Sequence, residues 1–126
     1  MRIFRTRAFS RLEVARQLSD ADLRAAVAEM NNGLWDANLG GQVYKKRVAL
    51  KGHGKRSGAR TLVAFKAGDR AFFVYALSKK QRANITAREK HVLKRLAAEL
   101  FSSSDQQLEQ ALKHGELIEI QVQEYG

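Results

Sequence analysis

Apolar and polar residues alternate over Arg2–Thr6 (RIFRT), which predicts a short strand. In RAFSRLEVARQL, Phe9, Leu12 and Ala15 or Arg16 recur at three- and four-residue spacing and predict one short helix. A second helix follows: Ser19 and Asp22 match a capping box, and Leu23, Ala26, Val27 and Met30 form one apolar stripe that ends at NNG, 31–33. After Gly40 and Gly41 comes a strand at about 42–50, then a glycine-rich loop, KGHGKRSG. RTLVAFKA and RAFFVYALS, joined at Gly68-Asp69, predict a tight hairpin. Its strands are almost continuously apolar, so helices should cover at least one face of the sheet.

Thr86 and Glu89 form another capping box, and Val92, Leu93, Leu96, Ala97, Leu100 and Phe101 trace an amphipathic helix. SSSD starts a shorter helix through Leu108, Ala111 and Leu112, which Gly115 stops. ELIEIQVQEY then alternates, with Ile118, Ile120 and Val122 expected inside and Glu119, Gln121 and Gln123 outside, as in an edge strand. The predicted order is β-α-α-β-β-β-α-α-β. The expected fold is a single α+β domain over 1–126: a small, mainly antiparallel sheet, N-terminal helices packed on it, C-terminal helices and a C-terminal edge strand.

Composition adds a partner class. The 126 residues carry a formal charge of +10 and no cysteine, which excludes a disulfide framework and thiolate metal sites. No apolar run approaches a membrane span, and the charged N-terminal stretch has no apolar h-region, so a soluble, cytoplasmic protein without membrane partners is expected. From Tyr44 to Arg95 there are sixteen Lys or Arg against two acids, Asp69 and Glu89. A charge block of that kind calls for a polyanion, such as nucleic acid or the ribosome.

Strand alternation sorts these cations. Lys45 and Arg47 share one face; Tyr44, Lys46, Val48 and Leu50 share the other, more apolar face. The turn at 68–69 pairs Arg60 with residues near 77–79, so Lys45 or Arg47, Arg60, and Lys80 or Arg82 arrive at one end of the sheet. Arg offers a planar fork to phosphate oxygens and Lys a mobile point charge. Such a cluster suits binding of RNA or DNA backbone, or RNA cleavage, in which a 2′-OH attacks its neighbouring phosphate and cations stabilise the added charge. Crowding among cations also lowers a lysine's proton affinity, which opens acid or base roles. Lys46, His53, Lys55, Arg56 and Lys79 are further candidates for RNA contact. No carboxylate pair, Ser-His-Asp set or metal-ligand cluster stands out, and no cofactor is implied. His91 suits a helix surface and His114 a helix end. Trp35 could stack on a base or close the core beneath the second helix. Tyr75, within FFVYAL, reads first as a sheet residue. GHGKRSG has neither the spacing nor the following element of a nucleotide-binding loop.

The stretch from Leu39 to Ile85, LGGQVYKKRVALKGHGKRSGARTLVAFKAGDRAFFVYALSKKQRANI, resembles the RelE/ParE toxin superfamily, in its RelE-like or HigB-like branch. LSDADLRAAVAEMNNGLWDANLGG fits as well, so the resemblance covers about residues 3–100. It implies a growth-inhibiting toxin of a type II toxin–antitoxin module, a metal-independent endoribonuclease that cuts mRNA on the ribosome. Its partners would be the ribosome, mRNA and a cognate antitoxin, often of the helix-turn-helix type. Carried onto matching positions, it implies that Lys45, Arg47, Arg60, Lys80 and Arg82 act in catalysis. Where the family often has Tyr or His, this chain has Thr86, so the acid and base are not assigned. A gyrase-directed ParE-like toxin and a non-catalytic nucleic-acid-binding module stand as alternatives.

Overall fold

The computed structural model describes residues 1–50, 54–77 and 85–121, with backbone alone at Leu50 and at 54–57. The elements are β1 (Arg2–Thr6), α1 (Arg7–Arg11), α2 (Glu13–Arg16), α3 (Asp20–Asn31), β2 (Ala37–Gly40), β3 (Val43–Leu50), β4 (Gly54–Lys66), β5 (Arg70–Leu77), α4 (Ala87–Ser102), α5 (Asp105–Lys113) and β6 (Leu117–Ile120). One six-stranded sheet has the order β2-β3-β4-β5-β1-β6. Only β1 against β5 is parallel; the other neighbours are antiparallel. The α+β fold expected from the pattern is therefore present, with β6 at a sheet edge.

Helices cover both faces. Phe9, Ala15, Leu23, Val27 and Met30 of the N-terminal helices pack with Val48, Val63 and Phe73 on one side. Ala97 and Leu108, with the half-buried Leu93, Leu96 and Leu100, pack with Val43, Leu62 and Phe72 on the other. Doubly covered strands need apolar residues on both faces, which explains the nearly unbroken apolar runs of β4 and β5. The boxes at Ser19–Asp22 and Thr86–Glu89 form with both reciprocal hydrogen bonds and set the first turns of α3 and α4.

Several expectations are corrected. The helix predicted over 7–18 is two, because Leu12 takes an extended conformation (φ −72°, ψ 136°). Phe9 and Ala15 are both buried, yet residues six apart do not share a face of one continuous helix. β2 was not anticipated; its four residues lack an alternating pattern. β4 starts at Gly54, so residues 54–58 of the expected glycine loop belong to a strand. Gly58 is buried there, and a Cβ on it would run into the Val48 carbonyl beside the irregularity at Val48/Leu50. Ile118 and Val92 are exposed, at 37% and 58%, whereas Leu117 and Ile120 are the buried residues of β6. Ile118 pairs with Arg5, whose guanidinium reaches Asp20 at 3.4 Å, so its side of the edge is polar. Val122 and Gln123 lie outside the described residues.

Register across β3 and β4 is held by polar contacts inside the N-terminal layer. Lys46 pairs with Thr61, and the fully buried Thr61 hydroxyl donates to the Lys46 carbonyl at 2.8 Å. The Lys46 side chain, only 4% exposed, places Nζ 2.8 Å from a Glu29 carboxylate oxygen on α3. Removing one member of such a pair leaves a buried charge poorly compensated, whereas replacing both with apolar or neutral groups can be nearly neutral. Glu29→Gln should cost about 2 kcal/mol, below the fully buried range because Glu29 is itself part-exposed. Glu29→Gln/Lys46→Met should recover most of that loss in urea unfolding.

On the opposite face at the far edge, Arg2 donates to both oxygens of Glu119 (2.8 and 2.9 Å) and to Glu109 at 2.9 Å. Its guanidinium lies 5.0 Å from the Phe4 ring centroid, tying β1, β6 and α5 together. The hydrogen bonds from Arg2 hold the Glu119 carboxyl below its usual range. A depressed carboxyl contributes stability above its unfolded value, about 4.3, and loses it as pH falls through the folded value. Glu119→Gln should therefore cost about 1 kcal/mol at neutral pH, after allowance for partial exposure. Unfolding measured from pH 7 to pH 2 should show the gap to wild type closing only below about pH 4.

Candidate nucleic-acid interface

The alternation of β3 decides which cations meet. Lys45, Lys46 and Arg47 pair with Leu62, Thr61 and Arg60 of β4. Leu62 belongs to the core beneath α4, so Lys45, Arg47 and Arg60 share the α4 side of the sheet. Arg47 and Arg60 are directly opposed, and side chains so placed start about 5 Å apart at Cβ. Arg60 in turn pairs with Leu77 of β5, within the span predicted from the turn. Three cations from two strands thus form one patch, with Arg47 the most open at 45% side-chain exposure.

Two further residues join this face: Asp36, which sequence reasoning did not place here, and Tyr75, which it weighed as an aromatic alternative for the site but read first as a sheet residue. Asp36, just before β2, accepts a 2.6 Å hydrogen bond from the Arg47 backbone N–H, and its other oxygen lies 3.9 Å from Arg47 Nε. Its own N–H donates to the Lys45 carbonyl at 2.8 Å. The carboxylate thereby orients Arg47 and offsets part of the repulsion from Arg60. Nothing in its local pattern marked it. Tyr75 pairs with Leu62, one row from Arg60, and packs half-buried against the α4-side core. Strict alternation with Phe73 would have sent it to the other face. An irregularity at Leu62/Val63 inserts Val74 and turns Tyr75 over.

The other candidates separate. Lys46 faces the N-terminal layer and is engaged by Glu29, so it cannot contact RNA bound on the α4 side. Lys55 and Arg56 lie in β4 by backbone. His53, Lys79, Lys80 and Arg82 lie outside the described residues. The Thr86 hydroxyl accepts from the Glu89 N–H in the helix cap. Trp35 packs on Tyr44 at a tilt of 52°, with ring centroids 4.8 Å apart, and Tyr44 meets Phe65 edge-on at 5.8 Å, so the indole lies against the core on the side away from the basic patch. Gly40 and Gly41 take positive φ (86° and 60°) in the turn into β3, which explains both without a phosphate. His91 is exposed on α4, and His114 Nδ1 is 2.8 Å from the Gln110 carbonyl.

A cavity of about 650 Å³ between α1, α4 and α5 has an apolar floor of Val74, Leu96, Leu100 and Leu108; none of the three patch cations lines it. Among the described residues, no group of three or more His, Cys, Asp or Glu could hold a metal ion. No described helix is long and apolar enough to cross a membrane.

The patch can grip a phosphodiester by two guanidinium forks and an ammonium. A search of curated proteins returns no match. The family model described as the RelE toxin of the RelE/RelB toxin–antitoxin system matches residues 1–120, so this chain, with its basic strand face and helix-covered sheet, belongs to the RelE toxin family.

Proposed function

We propose that this toxin is a ribosome-dependent mRNA endonuclease that arrests translation in the cytoplasm. The observation that carries the reading is the meeting of Lys45, Arg47 and Arg60 on one face of adjacent strands. In the proposed reaction the 2′-oxygen of one nucleotide attacks its own 3′-phosphate. A new 2′-O–P bond forms and the P–O5′ bond breaks, leaving a 2′,3′-cyclic phosphate and a 5′-hydroxyl. One proton leaves the 2′-OH and another reaches the departing 5′-oxygen. Arg47 and Arg60 bind the non-bridging oxygens and stabilise the charge that grows on them. Lys45 clamps the adjoining phosphate, and Lys80 and Arg82 complete the grip from the segment after β5. Tyr75 is the phenol nearest this patch in register and a candidate for proton transfer. The RelB-like antitoxin implied by the family would neutralise the toxin by laying an acidic segment over the same face.

The test is translation of a defined mRNA with purified ribosomes. Wild type should cut within the codon at the A site. Arg60→Ala should lower the cleavage rate about 100-fold or more, the scale for losing one preorganised donor to a developing oxyanion. A folded Arg60→Ala that cleaves and poisons cells like wild type would overturn this site. DNA damage without loss of mRNA would place the toxin on gyrase instead.

A further inference from the structure

The basic run does not end at the strand face. It continues through AREKHVLKR into α4, where the proposed cleavage site uses none of it. The inner stripe of α4, Leu93, Leu96, Ala97 and Leu100, packs on the sheet. The outer stripe presents Arg88, His91 and Arg95, all exposed, beside the exposed Val92. Arg88 and Arg95 are seven residues apart, so they stand two turns apart on nearly the same line, separated by about 10 Å along the axis. Among the described residues no hydrogen bond or ion pair engages the side chains of Arg88, His91 or Arg95. Like-charged groups on one helix face destabilise it slightly, and the exposed Glu99, four residues beyond Arg95 on the same helix, makes no ion pair with it.

We propose that this outer face of α4 is a second phosphate-binding track, one that takes the backbone of double-helical RNA and holds it beside the basic strand face. Three features favour that partner. First, a protein interface needs an apolar, often aromatic centre, and this stripe offers Val92 alone. Second, single-stranded RNA is read mainly by stacking on aromatic rings, and Phe101 packs inward against Phe72 at 5.6 Å, which leaves the small imidazole of His91 as the one ring on the outer stripe. Third, a rigid rod carrying cations at a fixed pitch suits the regular phosphates of an A-form helix, which proteins recognise mainly by shape and backbone. The track adjoins the first patch because α4 lies on the same side of the sheet as Lys45, Arg47 and Arg60. The Lys94 stem rests over Gly41 at the turn into β3.

Fluorescence anisotropy of the full chain with a short RNA duplex of arbitrary sequence, repeated across a NaCl series, tests this. R88Q/R95Q should weaken duplex binding about tenfold at moderate salt and flatten the dependence of log K on log salt by between one and two, since each lost phosphate contact removes about 0.7–0.9 from the slope. R11Q/R16Q, which removes the same charge from exposed positions on α1 and α2, should change the slope by much less. Single-stranded RNA of equal length should be less affected by R88Q/R95Q than the duplex. Circular dichroism and thermal unfolding confirm that both variants fold. Equal losses in the two variants, or an unchanged slope in R88Q/R95Q, would overturn the track. So would loss of binding to poly-glutamate with duplex binding intact, which would assign the face to an acidic protein. The readout involves no cleavage, so the Arg60→Ala experiment can fail while this one succeeds.

Discussion

The two-residue period of β3, anchored by Lys46, is the constraint on which the basic face of this toxin depends. Lys46 turns into the N-terminal layer, where Glu29 meets its ammonium and the Thr61 hydroxyl meets its carbonyl. Its neighbours Lys45 and Arg47 must then turn the other way. A slip of one residue would bury both cations against the wrong layer and expose the apolar residues between them. Holding one charge inside, paired and hydrogen-bonded, is thus what keeps two others outside and side by side with Arg60.

The sheet is a middle layer, and that shapes what the patch can do. α4 and α5 cover the same face that carries the cations, but their apolar contacts concentrate on Val43, Leu62, Phe72 and Val74. Arg47 is left accessible beside Arg60, next to a helix whose outer side is itself basic. Asp36 is the acid beside this cluster. It binds the Arg47 backbone N–H, so it fixes the strand as well as tempering the charge. In the proposed reading, a long polyanion lying over both the strands and α4 would meet Lys45, Arg47 and Arg60 and then Arg88 and Arg95. In the proposed function the positive charge of this RelE-family toxin lies where a ribonucleic acid would meet it, while Arg2 and Arg70 are engaged in structural pairs with Glu119, Glu109 and Asp105.

Much of this arrangement was legible in the order of residues. Ser19 with Asp22 and Thr86 with Glu89 announced α3 and α4, because reciprocal caps are local and need no tertiary partner. The turn at Gly68 placed Arg60 opposite residues near 77–79, where it meets Leu77, and alternation placed Lys45 and Arg47 together. What escaped depended on long-range packing or on a break in periodicity. The inserted Val74 set the side of Tyr75, which two-residue alternation from Phe73 does not give. Leu12 interrupted a helix so that Phe9 and Ala15 could both reach the core. Asp36 gained its role only through the pairing of β2 with β3, and β2 has no pattern of its own. Lys80 and Arg82, which the family resemblance adds to the site, lie outside the described residues, so their place beside Arg60 stands as a proposal.

The most direct test of the account is whether Arg47 and Arg60 act as one site and Lys46 does not. Side-chain nitrogen–proton spectra of the labelled protein, titrated with a short RNA oligonucleotide, read each of these groups separately. The account predicts that the Arg47 and Arg60 Nε–H signals move together with a single dissociation constant while the Lys46 ammonium stays still. Arginine signals that titrate independently, or a Lys46 signal that moves while both arginines are silent, would contradict it.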